Sequence, residues 1–396
     1  MAQTRLSVPC ILMGSKGRIP VTPLSCRTAA ADSPASAVHG KLGRSDPALY
    51  IMEIMERQKM RSKLKFMFGL GVAAILALST SAYAGEITAY TSLEEDDAKV
   101  YLDAFAKVAP GIKVNMLRLS TGDLGARILA EKSNPRHDVI WGWAVTQMVD
   151  PRILEMTEPY KPKGIESVNT SFKDPQNRWF ATTGYFAAFC VNTEVLKKKN
   201  LPMPSSWQDL LNPVYKGQLI MPNPASSGTG YLQISSILQM KGEGEGWKFL
   251  HELDKNMGQY IKSGSKPCKL TRVGEYAVGA SFAFVGVKSV KKGYPIKVVI
   301  PSEGAGYEME VSALMKTSKN KGDTQRFLDW LLTREAAKLY GQRAAMSVVP
   351  GAIQTEDARA AGLPADVSTV LYDMDFDWSA TNKSRVVAKW KAEIER

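Results

Sequence analysis

The chain is poor in the residues that carry nucleophilic and metal chemistry, with 3 histidines and 4 cysteines among 396 residues. It also lacks an uninterrupted apolar run long enough to cross a bilayer, since Phe66 to Leu78 falls short of the roughly 20 residues a spanning helix needs. Lys and Arg are not gathered into a stripe, as a nucleic-acid binder requires, but alternate with acids, as in Glu335 to Lys338. Lys197-Lys198-Lys199 and Lys291-Lys292 read as solvated faces. No internal repeat or low-complexity tract follows residue 85.

What the short apolar run does have is context. Arg61, Lys63 and Lys65 precede it, and Ala82-Tyr83-Ala84 close it with small side chains before Gly85, the pattern of a secretory signal peptide over residues 60–84. Cleavage is expected before Gly85, and no cysteine follows to receive a lipid, so a free protein of a Gram-negative periplasm is expected. Residues 1–59 carry Pro9, Pro20, Pro23 and Pro34 without an apolar period and read as disorder. Translation starting at Met52, Met55 or Met60 would account for them.

Residues 1–84 hold 11 Lys and Arg and 4 Asp and Glu, so removing them from 51 and 39 leaves 40 basic and 35 acidic residues, a net charge of +5 rather than +12. The remaining 312 residues suffice for two lobes, each with a core. Only Cys190 and Cys268 remain, and in an oxidising compartment one disulfide is expected, two buried thiols being the alternative. With only His137 and His251 as possible bases, neither in a nucleophile motif, an enzyme is disfavoured. No metal site and no cofactor are expected.

Short apolar segments alternate with helical ones from Gly85: Ile87 to Tyr90, a helix through Ala98, Tyr101 and Phe105, Ile112 to Leu117, a helix from about Asp123 to Lys132, then Asp138 to Trp141. This βαβαβ order predicts an α/β fold with a parallel sheet, whose ligands collect beyond the C-terminal strand ends. Those ends are Tyr90-Thr91-Ser92, Ser120-Thr121-Gly122 and Trp141-Gly142-Trp143. Trp179 to Val191 predicts a strand crossing into a second lobe. That lobe holds strands at Leu219 to Met221, Gln259 to Ile261 and Val278 to Phe284, with a helix at Gly246 to Met257. Lys297 to Ile300 is expected to cross back, and Thr324 to Tyr340 to form one amphipathic helix. The expected division is 85–185 with 298–345 as lobe 1, 186–297 as lobe 2, and helices in 346–396 packed on both. A hinge near Gly184 and Lys297 and an interlobe cleft follow.

The sharpest chemical signal is Met221 to Tyr231, MPNPASSGTGY, where a strand runs through prolines into a helix start at Ser226 or Ser227. Free amides at a helix start carry partial positive charge, glycine lets an anion approach, and Ser227 and Thr229 add hydroxyl donors. Ser120-Thr121-Gly122 has the same character, and two such ends across a cleft would clamp one anion.

These residues also resemble a known family, the periplasmic solute-binding proteins of ABC importers for 2-aminoethylphosphonate. The resemblance covers Gly85 to Arg396 and rests on MPNPASSGTGYL at 221–232, SGSKPCK at 263–269, STG at 120–122 and EPYKPKG at 158–164. It implies a type II periplasmic-binding fold, two lobes closing on ligand, and delivery by a monomer to an inner-membrane permease. It implies that Ser120, Thr121, Ser226, Ser227, Gly228 and Thr229 hold the phosphonate. Glu310 would pair with the ammonium, and Trp141, Trp143, Tyr90 and Tyr185 would supply walls. Phe282-Ala283-Phe284-Val285 departs from the acidic, aromatic and arginine run of that family. It also departs from the adjacent tyrosines of related ferric-iron binders, which places iron below phosphonate. Phosphoglycerate or a sugar phosphate is the other anion considered.

Overall fold

The computed structural model describes residues 85–343, 346–350 and 355–395, so the proposed signal peptide and upstream segment lie outside the described residues. Strand β1 (Gly85–Thr91), helix α1 (Glu95–Val108), β2 (Ile112–Arg118), α2 (Thr121–Ala130) and β3 (Val139–Ala144) open the first lobe. β1 runs parallel to both β2 and β3, joined by helical crossovers. Short helices α3 (Val145–Met148) and α4 (Pro151–Leu154) and strand β4 (Thr157–Glu158) follow. Ile87, Phe105, Trp141 and Phe327 pack on one face of this sheet, and Leu124, Ile128, Trp143 and Val311 on the other.

β5 (Phe180–Asn192) is buried along its whole length, and its alternation-free apolar run has a structural cause: both faces are covered, in two lobes in turn. Its first half pairs with β10 (Tyr307–Met315), and its second half, from Ala187, pairs with β8 (Val278–Phe282) and β9 (Ile296–Val299). The second lobe is built from α5 (Thr193–Lys199), β6 (Leu219–Pro222), α6 (Gly228–Lys241), α7 (Glu243–Asp254), β7 (Met257–Ile261), α8 (Lys266–Thr271), β8, α9 (Ala283–Lys291) and β9. The main strand path is β2-β1-β3-β10-β5-β8-β6-β7. After β10 come α10 (Lys321–Trp330), α11 (Arg334–Gln342), β11 (Met346–Ser347), α12 (Glu356–Ala360) and α13 (Phe376–Glu393). Val386 and Trp390 of α13 enter the core of the second lobe.

The structure differs from the sequence expectation at three joints. The run Val278 to Phe284 is strand only to Phe282, and α9 takes over at Ala283, a choice that an apolar run leaves open. The segment Thr324 to Tyr340 is two helices, because Thr333 caps α11 by accepting from the Ala336 N–H. Lys297 does not cross back: β9 pairs with Phe189 to Asn192 in the second lobe, and the return falls at Gly306, whose carbonyl accepts from the Ala187 N–H at 2.8 Å. The strand pairs that join the lobes therefore sit near Phe186 and Tyr307, not at Lys297.

Cys190 on β5 and Cys268 on α8, 78 positions apart in sequence, form a disulfide with Cα atoms 5.3 Å apart. It ties the shared strand to the helix that follows the SGS loop. By the loop-entropy relation, closing such a loop is worth about 4.5 kcal/mol.

Candidate ligand cleft

Helix starts are made by local chemistry, and two of them meet here. Ser227 caps α6, its hydroxyl accepting from the Gly230 N–H at 3.2 Å. Ser120 stands at the cap position of α2 with extended backbone and no hydrogen bond of its own hydroxyl to the helix. Ser120, Thr121, Ser227, Gly228 and Thr229 line one narrow cavity between the lobes, with Tyr185 and Glu310 beside them. The close approach depends on glycine. A Cβ at Gly228 would lie 2.7 Å from Thr121 Oγ1, and one at Gly122 would lie 2.3 Å from the Ala225 carbonyl oxygen. Through that gap the Gly122 N–H donates to the Ser226 carbonyl at 2.9 Å, a backbone hydrogen bond from one lobe to the other.

The cavity free volume is about 30 Å³, room for one or two waters, so the lobes stand closed on each other. An outer chamber of about 490 Å³ shares Glu94 and Arg118 with it and opens toward Lys269 and Lys288. A roomier cavity of about 900 Å³ lies between α2 to α4 and α13, lined by Ala126, Leu129, Val387 and the Asp150–Arg152 ion pair. The helix starts that reach it, those of α4 and α13, already carry Asp150 and Asp377, so size alone does not mark it as an anion site.

Glu310 on β10 accepts a hydrogen bond from the Thr183 hydroxyl at 2.5 Å, and burial pushes its carboxyl up to about 8. Its neighbour Glu308 accepts from Thr146 Oγ1 at 2.6 Å and is pushed by burial to about 7. Burial also holds the Tyr185 phenol well above its usual range, which disfavours a phenolate. Phe282 and Phe284 complete the wall with rings that offer no oxygen to a ferric ion.

Several residues expected at the site stand elsewhere. Trp141 and Trp143 are two apart on β3 and would share a face, but Gly142 adopts φ +60° beside a register shift in β10, and the two indoles enter opposite cores. Trp141 packs edge-on against Phe327, while the Trp143 N–H donates to the Thr121 carbonyl at 3.1 Å and supports the helix start from behind. Tyr90 is stacked on His137 at 4.2 Å, with its hydroxyl donating to Glu131. Ser226 contributes its carbonyl to the interlobe bond, and its hydroxyl donates to the Lys262 carbonyl. In exchange, the structure brings in Ser92, Glu94, Arg118 and Gly264. Ser92, Glu94 and Arg118 sit at or just beyond the ends of β1 and β2, where the strand-end rule for parallel sheets would have found them.

The sequence profile described as bacterial extracellular solute-binding protein matches residues 153–373. An uncharacterised protein of Haemophilus influenzae is 30% identical over 334 residues, 82% of this chain and 95% of its own length. The solved structure of the periplasmic binding protein AfuA from Actinobacillus pleuropneumoniae, with exogenous fructose-6-phosphate bound, has a TM-score of 0.73 at 28% identity over 78% of this chain and 99% of AfuA. A putative 2-aminoethylphosphonate-binding periplasmic protein of Salmonella typhimurium is 23% identical over 283 residues, 67% of this chain and 80% of its own length. With the two-lobed fold and the matched profile together, the chain belongs to the bacterial extracellular solute-binding protein family.

Proposed function

We propose that this protein is the periplasmic receptor of an ABC importer, working as a monomer. It captures a small organophosphonate, 2-aminoethylphosphonate first among them, and hands it unchanged to an inner-membrane permease. The observation that carries the reading is the meeting of the α2 and α6 starts over one cavity that also holds Glu310. Ser120, Thr121, Ser227, Gly228 and Thr229 would donate to the tetrahedral oxyanion head, Ser226 standing behind them, and the Glu310 carboxylate would receive the ammonium. Lobe 1 would be 85–185 with the segment from Tyr307 to residue 345, lobe 2 would be 186–306, and residues 346–396 would pack on both. The signal peptide at 60–84, cleaved before Gly85, would deliver the chain to the periplasm.

A phosphorylated sugar is the second reading, favoured by the fructose-6-phosphate named with AfuA and by the outer chamber of about 490 Å³. The two share the head and differ at the tail. Calorimetric titration with 2-aminoethylphosphonate, ethylphosphonate, fructose 6-phosphate and inorganic phosphate separates them. Tight binding of the amino compound alone supports the first reading, and preference for the sugar phosphate replaces it with the second. Silence from all four overturns the anion clamp, and chemical change of a recovered ligand overturns capture without turnover.

A further inference from the structure

We infer that Glu94 sets the charge class of the cargo: its carboxylate takes the place that a second anionic group of a ligand would occupy. The cleft then admits solutes with one anionic head and a neutral or cationic tail, and rejects doubly anionic ones. This rests on the reading of the helix starts as the site of the head group. Glu94 lines both the inner cavity and the outer chamber, and its side chain is only 10% exposed. One oxygen accepts from Arg118 Nη2 of its own lobe at 3.1 Å. The other accepts from Lys269 Nζ at 2.8 Å and Ser265 Oγ at 2.9 Å, both in the second lobe. Glu94 thus occupies donors of both Arg118 and Lys269, and one carboxylate against two cations leaves the trio with a single net positive charge.

The position has no competing local duty. Glu94 stands at the cap of α1 but makes no side-chain capping bond, and Glu95, Asp96 and Asp97 already supply the negative charge that the helix start favours. The nearby Lys288 is likewise engaged, by Asp96 and Asp97. A first anion finds uncharged donors at the two helix starts. A second would have to compete with the Glu94 carboxylate for Arg118 and Lys269, while Lys99, Arg272 and Lys292 line the outer chamber only. A like charge within about 4 Å of the Glu94 carboxylate costs on the order of a thousandfold in affinity at the effective dielectric of a protein surface, before the attraction of Arg118 and Lys269 is set against it.

The test is titration of the wild-type protein and of Glu94→Gln, Glu94→Asp and Glu94→Ala with ethylphosphonate, phosphonoacetate and malonate. Wild type is expected to bind ethylphosphonate at least a hundredfold more tightly than the doubly anionic phosphonoacetate. Glu94→Gln should shrink that ratio tenfold or more, and Glu94→Asp should restore it. Equal binding of the two phosphonates by wild type, or a ratio unmoved in Glu94→Gln, would overturn the inference. If no phosphonate binds wild type, the head-group reading fails separately. Malonate then decides, because freeing Arg118 and Lys269 in Glu94→Ala should create malonate binding absent from wild type, and malonate ignored by both proteins would overturn the role of Glu94. Thermal melts of each variant establish that it folds.

Discussion

Replacing Gly122 by alanine should separate closure from folding. In the closed structure the added Cβ would stand 2.3 Å from the Ala225 carbonyl oxygen and 3.0 Å from Ser226 Cα, both backbone atoms of the other lobe. Neither can rotate away, so the lobes must part by roughly 1 Å at this point to reach ordinary contact. The steric cost is about 1–3 kcal/mol, and losing the Gly122–Ser226 hydrogen bond adds about 1 kcal/mol. Closure is thus disfavoured by about 2–4 kcal/mol, and affinity for a ligand held by both helix starts falls roughly 30- to 1,000-fold. The fold itself should not suffer. Gly122 is a helical residue of α2 without a positive φ, where alanine is the better helix former by up to about 1 kcal/mol. Gly244→Ala on α7 is the control, because nothing lies within 4 Å of its Cβ. Calorimetric titration should show the loss in Gly122→Ala alone, differential scanning calorimetry should show no fall in Tm for either variant, and small-angle scattering should show a larger radius of gyration for ligand-free Gly122→Ala. A folded Gly122→Ala protein with wild-type affinity and wild-type dimensions would refute the view that this backbone contact belongs to the ligand-competent state.

Because the Glu310 carboxyl is pushed up to about 8, it must lose a proton before pairing with an ammonium. Affinity for 2-aminoethylphosphonate should therefore fall about tenfold per pH unit between 8 and 6, and titrations in buffers of different ionisation heat should report proton release. Glu310→Gln should abolish that pH dependence; a flat wild-type profile would remove Glu310 as the ammonium partner. For stability the sign is opposite to that of a salt-bridged acid: a raised folded value means the folded state holds the proton longer. The contribution of Glu310 is full below the unfolded value near 4.5 and is lost as pH rises toward 8, so Glu310→Gln should raise Tm at pH 8 and leave it unchanged at pH 4. Replacing Cys190 and Cys268 together by serine should lower stability by about 3–4.5 kcal/mol in urea titration, and equal midpoints for variant and wild type would show the bond is dispensable. N-terminal sequencing of the exported protein should begin at Gly85, and a start at any other residue would move the cleavage site.

The part of the cleft legible in the sequence is the part built by local rules. Ser227-Gly228-Thr229 and Ser120-Thr121-Gly122 announce helix starts because capping is settled within about four residues, and the strand that crosses between lobes shows as a long apolar run because both its faces are covered. Glu310 is pointed to by the family resemblance alone, whereas what it faces, the Thr183 hydroxyl 127 positions away, is set by strand pairing. The indoles were misleading for a definite reason: spacing of two puts side chains on one face only while the strand stays regular, and Gly142 breaks that regularity. Glu94 reads in sequence as one more acid at a helix start, and nothing near it in the chain distinguishes it from Glu95. Its meaning comes from Lys269 and Ser265, more than 170 residues distant, which the closing of two lobes brings within 3 Å. Sequence alone determined the helix starts, the crossing strand and the pair of cysteines, since each follows from short-range chemistry or composition. Which residues face one another across the cleft was decided only by the tertiary structure, because the register of β5 between its two lobes fixes the meeting of α2, α6, α8 and Glu94 and leaves no trace in local spacing.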